Sequence, residues 1–222
     1  MKYAIQSINI QSGIFCLMKD RFQDIIWVGA DGQGIYMYFT DEFSIENVLL
    51  DVPEYRVNNP VRALFLDHEQ TLWIGTKGGG ILRMMDFHPD RETLPQAERI
   101  LANNSALMDN SVYSFAPGRR NSLWIGTEDG LNYYSYLTRR IEEFPVIADG
   151  KKVKYVHSIC ETNDSTLWVV SAGEGIVKIT LEASSSLPKV KSAQRFTLDG
   201  GKRNSNYFFV SYQENDSTIW FG

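Results

Sequence analysis

Short runs of consecutive apolar residues, each bounded by polar turns, recur along this 222-residue chain. Five share one pattern: Ile26-Trp27-Val28-Gly29-Ala30, Leu72-Trp73-Ile74-Gly75-Thr76, Leu123-Trp124-Ile125-Gly126-Thr127, Leu167-Trp168-Val169-Val170-Ser171 and Ile219-Trp220-Phe221-Gly222. All five tryptophans sit in this motif, and successive ones lie 46, 51, 44 and 52 residues apart by difference of their numbers. The runs are rich in β-branched and aromatic residues and apolar at consecutive rather than alternate positions, which predicts strands buried on both faces. A repeat of this length carrying such a strand matches one four-stranded propeller blade, packed on the preceding blade by one face and on the following blade by the other. The tryptophan is expected to supply the inter-blade contact. The glycine two positions later leaves room for a close neighbour. Val170 breaks that rule, so packing in the fourth repeat should differ.

Glycine-containing turns follow the motif at Asp31-Gly32-Gln33-Gly34, Lys77-Gly78-Gly79-Gly80, Glu128-Asp129-Gly130 and Ala172-Gly173-Glu174-Gly175. They predict hairpins leading into a further strand, whereas a phosphate cradle would need a helix after the glycines. Before each motif stands another strand, marked by apolar residues three apart: Ile14 with Leu17, Val61 with Leu64, Val112 with Phe115, Val156 with Ile159; the fifth repeat has Phe208 but Ser211. Polar turns join it to the tryptophan strand, as at Asp67-His68-Glu69-Gln70, Arg119-Arg120-Asn121, Asn163-Asp164-Ser165 and Asn215-Asp216-Ser217. A variable fourth strand is expected near Phe43 to Leu50, Ile100-Leu101, Ile141 to Phe144 and Gln194 to Thr197. The longest inserts, roughly Phe87 to Asn110 and Leu181 to Lys191, are expected as edge loops, and loops on one rim are where binding usually sits. The fold class expected is therefore all-β: one partial β-propeller over residues 1–222, with antiparallel four-stranded blades centred on Trp27, Trp73, Trp124, Trp168 and Trp220. About four and a half blades are expected, part of a seven-bladed propeller whose natural chain continues.

Composition narrows the function classes. The chain is 43% hydrophobic and 13% aromatic, with a formal charge of −5. No apolar run approaches the roughly 18 residues that span a bilayer, and an acidic balance with scattered basic pairs (Arg119-Arg120, Arg139-Arg140, Lys151-Lys152) argues against nucleic acid. Those pairs read as solvated surface. Cys16 and Cys160, alone in a chain of this length, do not settle the redox compartment. Met1 to Ile5 lack the pattern of a secretory signal, so export would imply a signal already removed.

The repeated Leu-Trp-Ile-Gly-Thr, the glycine turn and the Leu/Ile-Tyr strand resemble the two-component regulator propeller family over nearly the whole chain. Asn104-Ser105-Ala106-Leu107-Met108-Asp109-Asn110-Ser111-Val112-Tyr113-Ser114 is similar to that family's inter-blade linker, as is Phe196-Thr197-Leu198-Asp199-Gly200 with Ser205-Asn206. The resemblance implies the periplasmic sensor part of an inner-membrane hybrid two-component protein, of the kind known from Bacteroidetes that respond to polysaccharide breakdown products. It implies an oligosaccharide ligand, further blades and a second propeller in the parent chain; a homodimer is a further candidate partner. A histidine kinase and a transcriptional output would lie outside this segment.

Candidate chemistry is sparse. No catalytic residue, metal ligand or cofactor is expected, and the ligand-binding residues are left unassigned. His68, His88 and His157 lack metal-ligand spacing. Asp41-Glu42 and Glu142-Glu143 are adjacent in extended segments and point to opposite faces, so neither pair shares a glycosidic bond. Tyr3, Tyr36, Tyr113, Tyr155 and Tyr207 read as packing residues, with stacking on sugar rings as the alternative. A hydrolase or lyase on a propeller scaffold is the competing class. Sialidase-type boxes, however, place an aspartate five residues before the aromatic and a glycine three before it, while Asp164 and Asp216 stand four before theirs with Ser-Thr in place of the glycine. A protein-interaction scaffold is the third reading.

Overall fold

The computed structural model describes residues 9–48, 56–87, 96–163, 165–183, 187–198 and 206–222. Blade one is β1 (Ile14–Lys19), β2 (Ile25–Ala30), β3 (Ile35–Phe39) and β4 (Ser44–Asn47). Blade two is β5 (Val61–Leu66), β6 (Leu72–Thr76), β7 (Ile81–Met85) and β8 (Gln96–Ile100); blade three is β9 (Val112–Gly118), β10 (Ser122–Thr127), β11 (Gly130–Ser135) and β12 (Arg140–Phe144). After a small hairpin, β13 (Ile147–Ala148) and β14 (Lys151–Lys152), come blade four, β15 (Val156–Asn163), β16 (Thr166–Ser171), β17 (Gly175–Leu181) and β18 (Val190–Phe196), and the pair β19 (Ser211–Asn215) and β20 (Thr218–Phe221). Within each sheet the strands follow chain order and pair antiparallel. First strands of successive blades lie side by side, β1 on β5, β5 on β9, β9 on β15 and β15 on β19, so they form the innermost layer around the propeller axis. Among the described residues this is a β-propeller with four four-stranded blades and two two-stranded sheets, β13–β14 and β19–β20.

Three apolar cores sit between consecutive blades. Trp27 packs with Val61, Leu72 and Ile74 of blade two, Trp73 with Val112, Leu123 and Ile125 of blade three, and Trp124 with Val156, Leu167 and Val169 of blade four. Alternate residues of β6 therefore face opposite blades, which is why the motif is apolar without alternation. Trp27, Trp73 and Trp124 are at most 1% exposed; burying an indole removes roughly 150–250 Å² from water, about 4–6 kcal/mol gross.

The motif's other letters each have a partner. A Cβ on Gly75 would stand 2.8 Å from Val112 Cγ1 and 3.0 Å from Phe115 Cε2 of the next blade. The glycine is thus the seat of the following blade's first valine. Thr76 and Thr127 donate from Oγ1 to the carbonyls of Gly80 and Gly130, closing the turn that follows. At the opposite end Asp67 accepts from the backbone N–H of Glu69 and Thr71 on one oxygen, and from Trp73 Nε1 at 2.9 Å on the other. Tyr136 of blade three donates to that second oxygen too. Asp20 holds Trp27 in the same way, while Trp124 donates to Glu161 of the next blade.

The linkers are fastened by asparagine. The Asn110 carbonyl accepts from the N–H of Gly78 and Gly80 while its side chain accepts from Ala102 N–H. Asn206 repeats the arrangement with Gly173, Gly175 and Leu198. In the fourth repeat, packing does differ: Ser114 of blade three donates to the Val156 carbonyl of the next blade, but its counterpart Ser158, paired to Val170, meets the Ser211 hydroxyl at 2.8 Å.

Some expectations need correction. The insert from Phe87 to Asn110 is not all loop, because Gln96–Ile100 is the outer strand of blade two, and Val190–Lys191 opens the outer strand of blade four. Asp41-Glu42 lies in the turn between β3 and β4 rather than in an extended segment. The β13–β14 hairpin is additional to the four-strand pattern, and its Val146, Ala148 and Val153 are buried in the core between blades three and four. Tyr3, His88, Asp164, Asp199, Gly200 and Ser205 lie outside the described residues.

A candidate ligand-binding arc at the axis

Apolar residues three apart would face opposite sides of a regular strand. Their recurrence has a cause in the register. Val61 pairs with Thr76 and Ala63 with Gly75, leaving Arg62 as one extra residue; Ile14/Cys16, Val112/Ser114 and Val156/Ser158 straddle the same irregularity. In the fifth repeat the N–H groups of both Phe209 and Val210 donate to the Gly222 carbonyl. Each innermost strand thus carries a β-bulge at one equivalent position, which shifts the parity and frees the extra side chain from sheet packing. The five extra residues are Phe15, Arg62, Tyr113, His157 and Phe209.

On neighbouring innermost strands these side chains meet in two groups, Phe15 with Arg62 and Tyr113 with His157 and Phe209. The Arg62 guanidinium lies 3.7 Å from the Phe15 ring centroid. Tyr113 and His157 stack at 4.4 Å and 11°, and His157 meets the edge of Phe209 at 5.1 Å. Tyr207 continues the series at 6.4 Å from Phe209. Tyr113 donates its hydroxyl proton to Glu128 at 2.9 Å; burial and that bond push the phenol up to about 12. Burial, followed by the positive charge of Arg62, holds the His157 imidazole below its ordinary value, so it is neutral at neutral pH. The arc is an aromatic rail interrupted by one permanent cation. It can stack planar or ring-shaped ligands and grip an anionic or hydroxyl group.

A second concavity, a cleft of about 480 Å³, opens between blades two and three and is lined by Arg83, Glu98, Asn104, Tyr134, Arg139 and Glu142, among others. Two of its cations are engaged: Arg83 pairs with Glu98 at 2.7 Å and donates to the Tyr134 hydroxyl, and Arg139 pairs with Glu69 of blade two. These contacts clamp the two blades together.

Residues 56–78 and 106–129 match the family model described as two component regulator propeller. Two stretches of the chain are thus similar to the repeats of that family. The first matched segment contains Arg62, and the second contains Tyr113 and Glu128. Over 222 residues the chain is 27% identical to Histidine kinase P4 of Formosa agariphila, covering 98% of this chain and 15% of that protein. The chain thus spans 15% of the length of the curated relative it matches. PorZ, a bacterial surface component of the type-IX secretion system of Porphyromonas gingivalis, aligns with a TM-score of 0.66 at 14% identity, over 94% of this chain and 30% of that one. The extracellular domain of the hybrid two component system BT3049 from B. thetaiotaomicron aligns with a TM-score of 0.55 at 17% identity, over 99% and 33%. That of BT4673 from the same organism gives 0.51 at 15%, over 98% and 41%. These structural likenesses show the propeller fold.

Within the propeller repeats, the residues weighed from sequence fall into separate places. Tyr113, Tyr207 and His157 come together on the arc; Tyr36 donates to Gln33 and Tyr155 stands exposed near the glycine turns. His68 sits in its turn, with its ring 4.5 Å from Tyr136. Among the described residues no group of three or more His, Cys, Asp or Glu is placed to hold a metal ion. Arg139 faces Glu69, and Lys152 faces Asp129 at 2.6 Å. Cys16 and Cys160 are free thiols in different blades; burial pushes the Cys16 thiol up to about 12 and raises that of Cys160. Arg62 and Phe209 drew no attention in the sequence. The displaced apolar spacing was the available signal for both.

Proposed function

We propose that this propeller segment is the extracytoplasmic ligand-sensing module of a hybrid two-component sensor and recognises oligosaccharides. The observation that carries the reading is the arc: one backbone position repeats in all five units, while its side chain changes from each blade to the next, from Phe15 through Arg62, Tyr113 and His157 to Phe209. Packing positions repeat because every blade meets the same neighbour, so a repeated position with varied chemistry is free to serve recognition. The similarity of two segments to the two-component regulator propeller model, and of the chain to a histidine kinase, supports a signalling context in which a histidine kinase outside this segment receives the output. Binding shifts the receptor between signalling states through differential affinity.

Incubating the protein with a panel of defined oligosaccharides tests this. A ligand at 100 times its Kd raises stability by about 2.7 kcal/mol, read as a melting temperature that climbs with concentration. Release of shortened or unsaturated sugars by the isolated protein would replace the sensor with an enzyme, and a melting temperature indifferent to every member would reject oligosaccharide recognition.

A further inference from the structure

We propose that the axial arc binds an anionic substituent, a carboxylate or sulfate ester carried on an oligosaccharide, through the Arg62 guanidinium, with the sugar ring lying toward His157, Phe209 and Tyr207. This rests on the oligosaccharide-sensing reading and narrows it to acidic sugars.

Arg62 differs from the cations held in ion pairs. Lys19, Arg83, Arg139, Lys152, Lys154 and Arg195 each face a carboxylate. Among the described residues none pairs with Arg62, whose observed contact is the face of Phe15, and its Nε is buried without an acceptor. A guanidinium laid on an aromatic face is held in orientation while its N–H edge stays available, and that planar edge matches the oxygens of carboxylate or sulfate. Glu128 accepts a hydrogen bond from the Tyr113 hydroxyl, and its charge repels an anion placed at Tyr113, which favours the Arg62 side for the acidic group. Farther along, Phe209 and Tyr207 are half exposed, at 50% and 54%, and offer apolar faces to the C–H faces of a sugar.

The test titrates the whole 222-residue chain with length-matched oligosaccharides: oligogalacturonates, sulfated oligosaccharides and neutral counterparts, with acetate and sulfate alone as further arms. Acidic oligosaccharides should bind, with affinity falling as salt rises, and Arg62→Gln should weaken them at least tenfold, consistent with losing a charge-assisted pair. Arg62→Lys keeps the charge without the fork and should recover only part. Arg139→Gln, outside the arc, should leave affinity unchanged, and unliganded melting temperatures confirm that each variant folds. Equal binding of neutral and acidic sugars, indifferent to Arg62→Gln, would overturn the anion site and leave the oligosaccharide sensor standing. Failure of all sugars to bind would overturn both, and acetate or sulfate binding as tightly as the oligosaccharides would overturn the saccharide assignment.

Discussion

Replacing Gly75 by alanine isolates the inter-blade seat. The new Cβ would stand 2.8 Å from Val112 Cγ1 and 3.0 Å from Phe115 Cε2, well inside ordinary contact, and Val112 is fully buried with no room to withdraw. Overpacking of a filled core costs about 1–3 kcal/mol. Alanine recovers roughly 0.5–1 kcal/mol over glycine in an extended strand through the unfolded chain. The expected net loss is about 1–2 kcal/mol. Val112→Ala alone removes two buried methyl groups and leaves a cavity, about 2 kcal/mol. In the double variant, the added methyl enters the vacated space, so the two losses should fall short of their sum by at least ~1 kcal/mol. Urea unfolding of the four proteins measures this from midpoints at constant slope. Gly13→Ala is the control, since its Cβ would have its nearest neighbour at 3.7 Å, and it should not move the midpoint downward. Additivity within about 0.5 kcal/mol would show that the seat is not why glycine follows the tryptophan.

Asp67→Ala strands the Trp73 indole N–H, the Tyr136 hydroxyl and two turn amides, and should cost on the order of 3 kcal/mol in urea unfolding, whereas Glu214→Ala beneath the exposed Trp220 should cost under about 0.5 kcal/mol. Acid stability should depend on Glu69 and Asp129, whose carboxyls are held below their ordinary values by Arg139 and by Lys152 with Lys154. A depressed carboxylate contributes fully above its unfolded value and loses that contribution as pH falls through the folded one. The Glu69→Gln/Asp129→Asn protein should therefore show a flatter decline in midpoint below about pH 4, with no change in slope near neutrality. His157, also depressed, follows the same sign at higher pH: its contribution starts to decline as pH falls below the ordinary value of 6.5, and His157→Gln should remove that part of the decline. The Cys16 thiol, raised to about 12, should resist a disulfide reagent at neutral pH in the folded protein and react once denaturant is added; rapid native labelling would contradict its burial.

The blades were legible because packing repeats: each tryptophan meets the same kind of neighbour, so the same letters return. The polar grip on the indoles was not, because the acid comes from seven residues before Trp27, six before Trp73, and the following blade for Trp124. Geometry is conserved there while spacing is not. The β13–β14 hairpin escaped because two-residue strands carry no periodicity; Asp149-Gly150 was its one trace. The arc was hidden more thoroughly, since a bulge is a property of pairing between strands, and its side chains follow no single letter from Phe15 through Arg62, Tyr113 and His157 to Phe209. Val61 and Leu64, three apart yet counted alike, were the visible sign that a residue had been inserted.

The side-by-side innermost strands pass contact from each blade to the next, so the molecule resembles a one-dimensional stack whose units can loosen one at a time. A ligand spanning from Arg62 toward His157 would join blades two and four across the intervening one, an interaction the stack otherwise lacks. Occupancy would then turn a graded, blade-by-blade profile of amide hydrogen exchange into a single cooperative opening. Binding on the arc would then register as stiffness along the blades, read in the same exchange experiment.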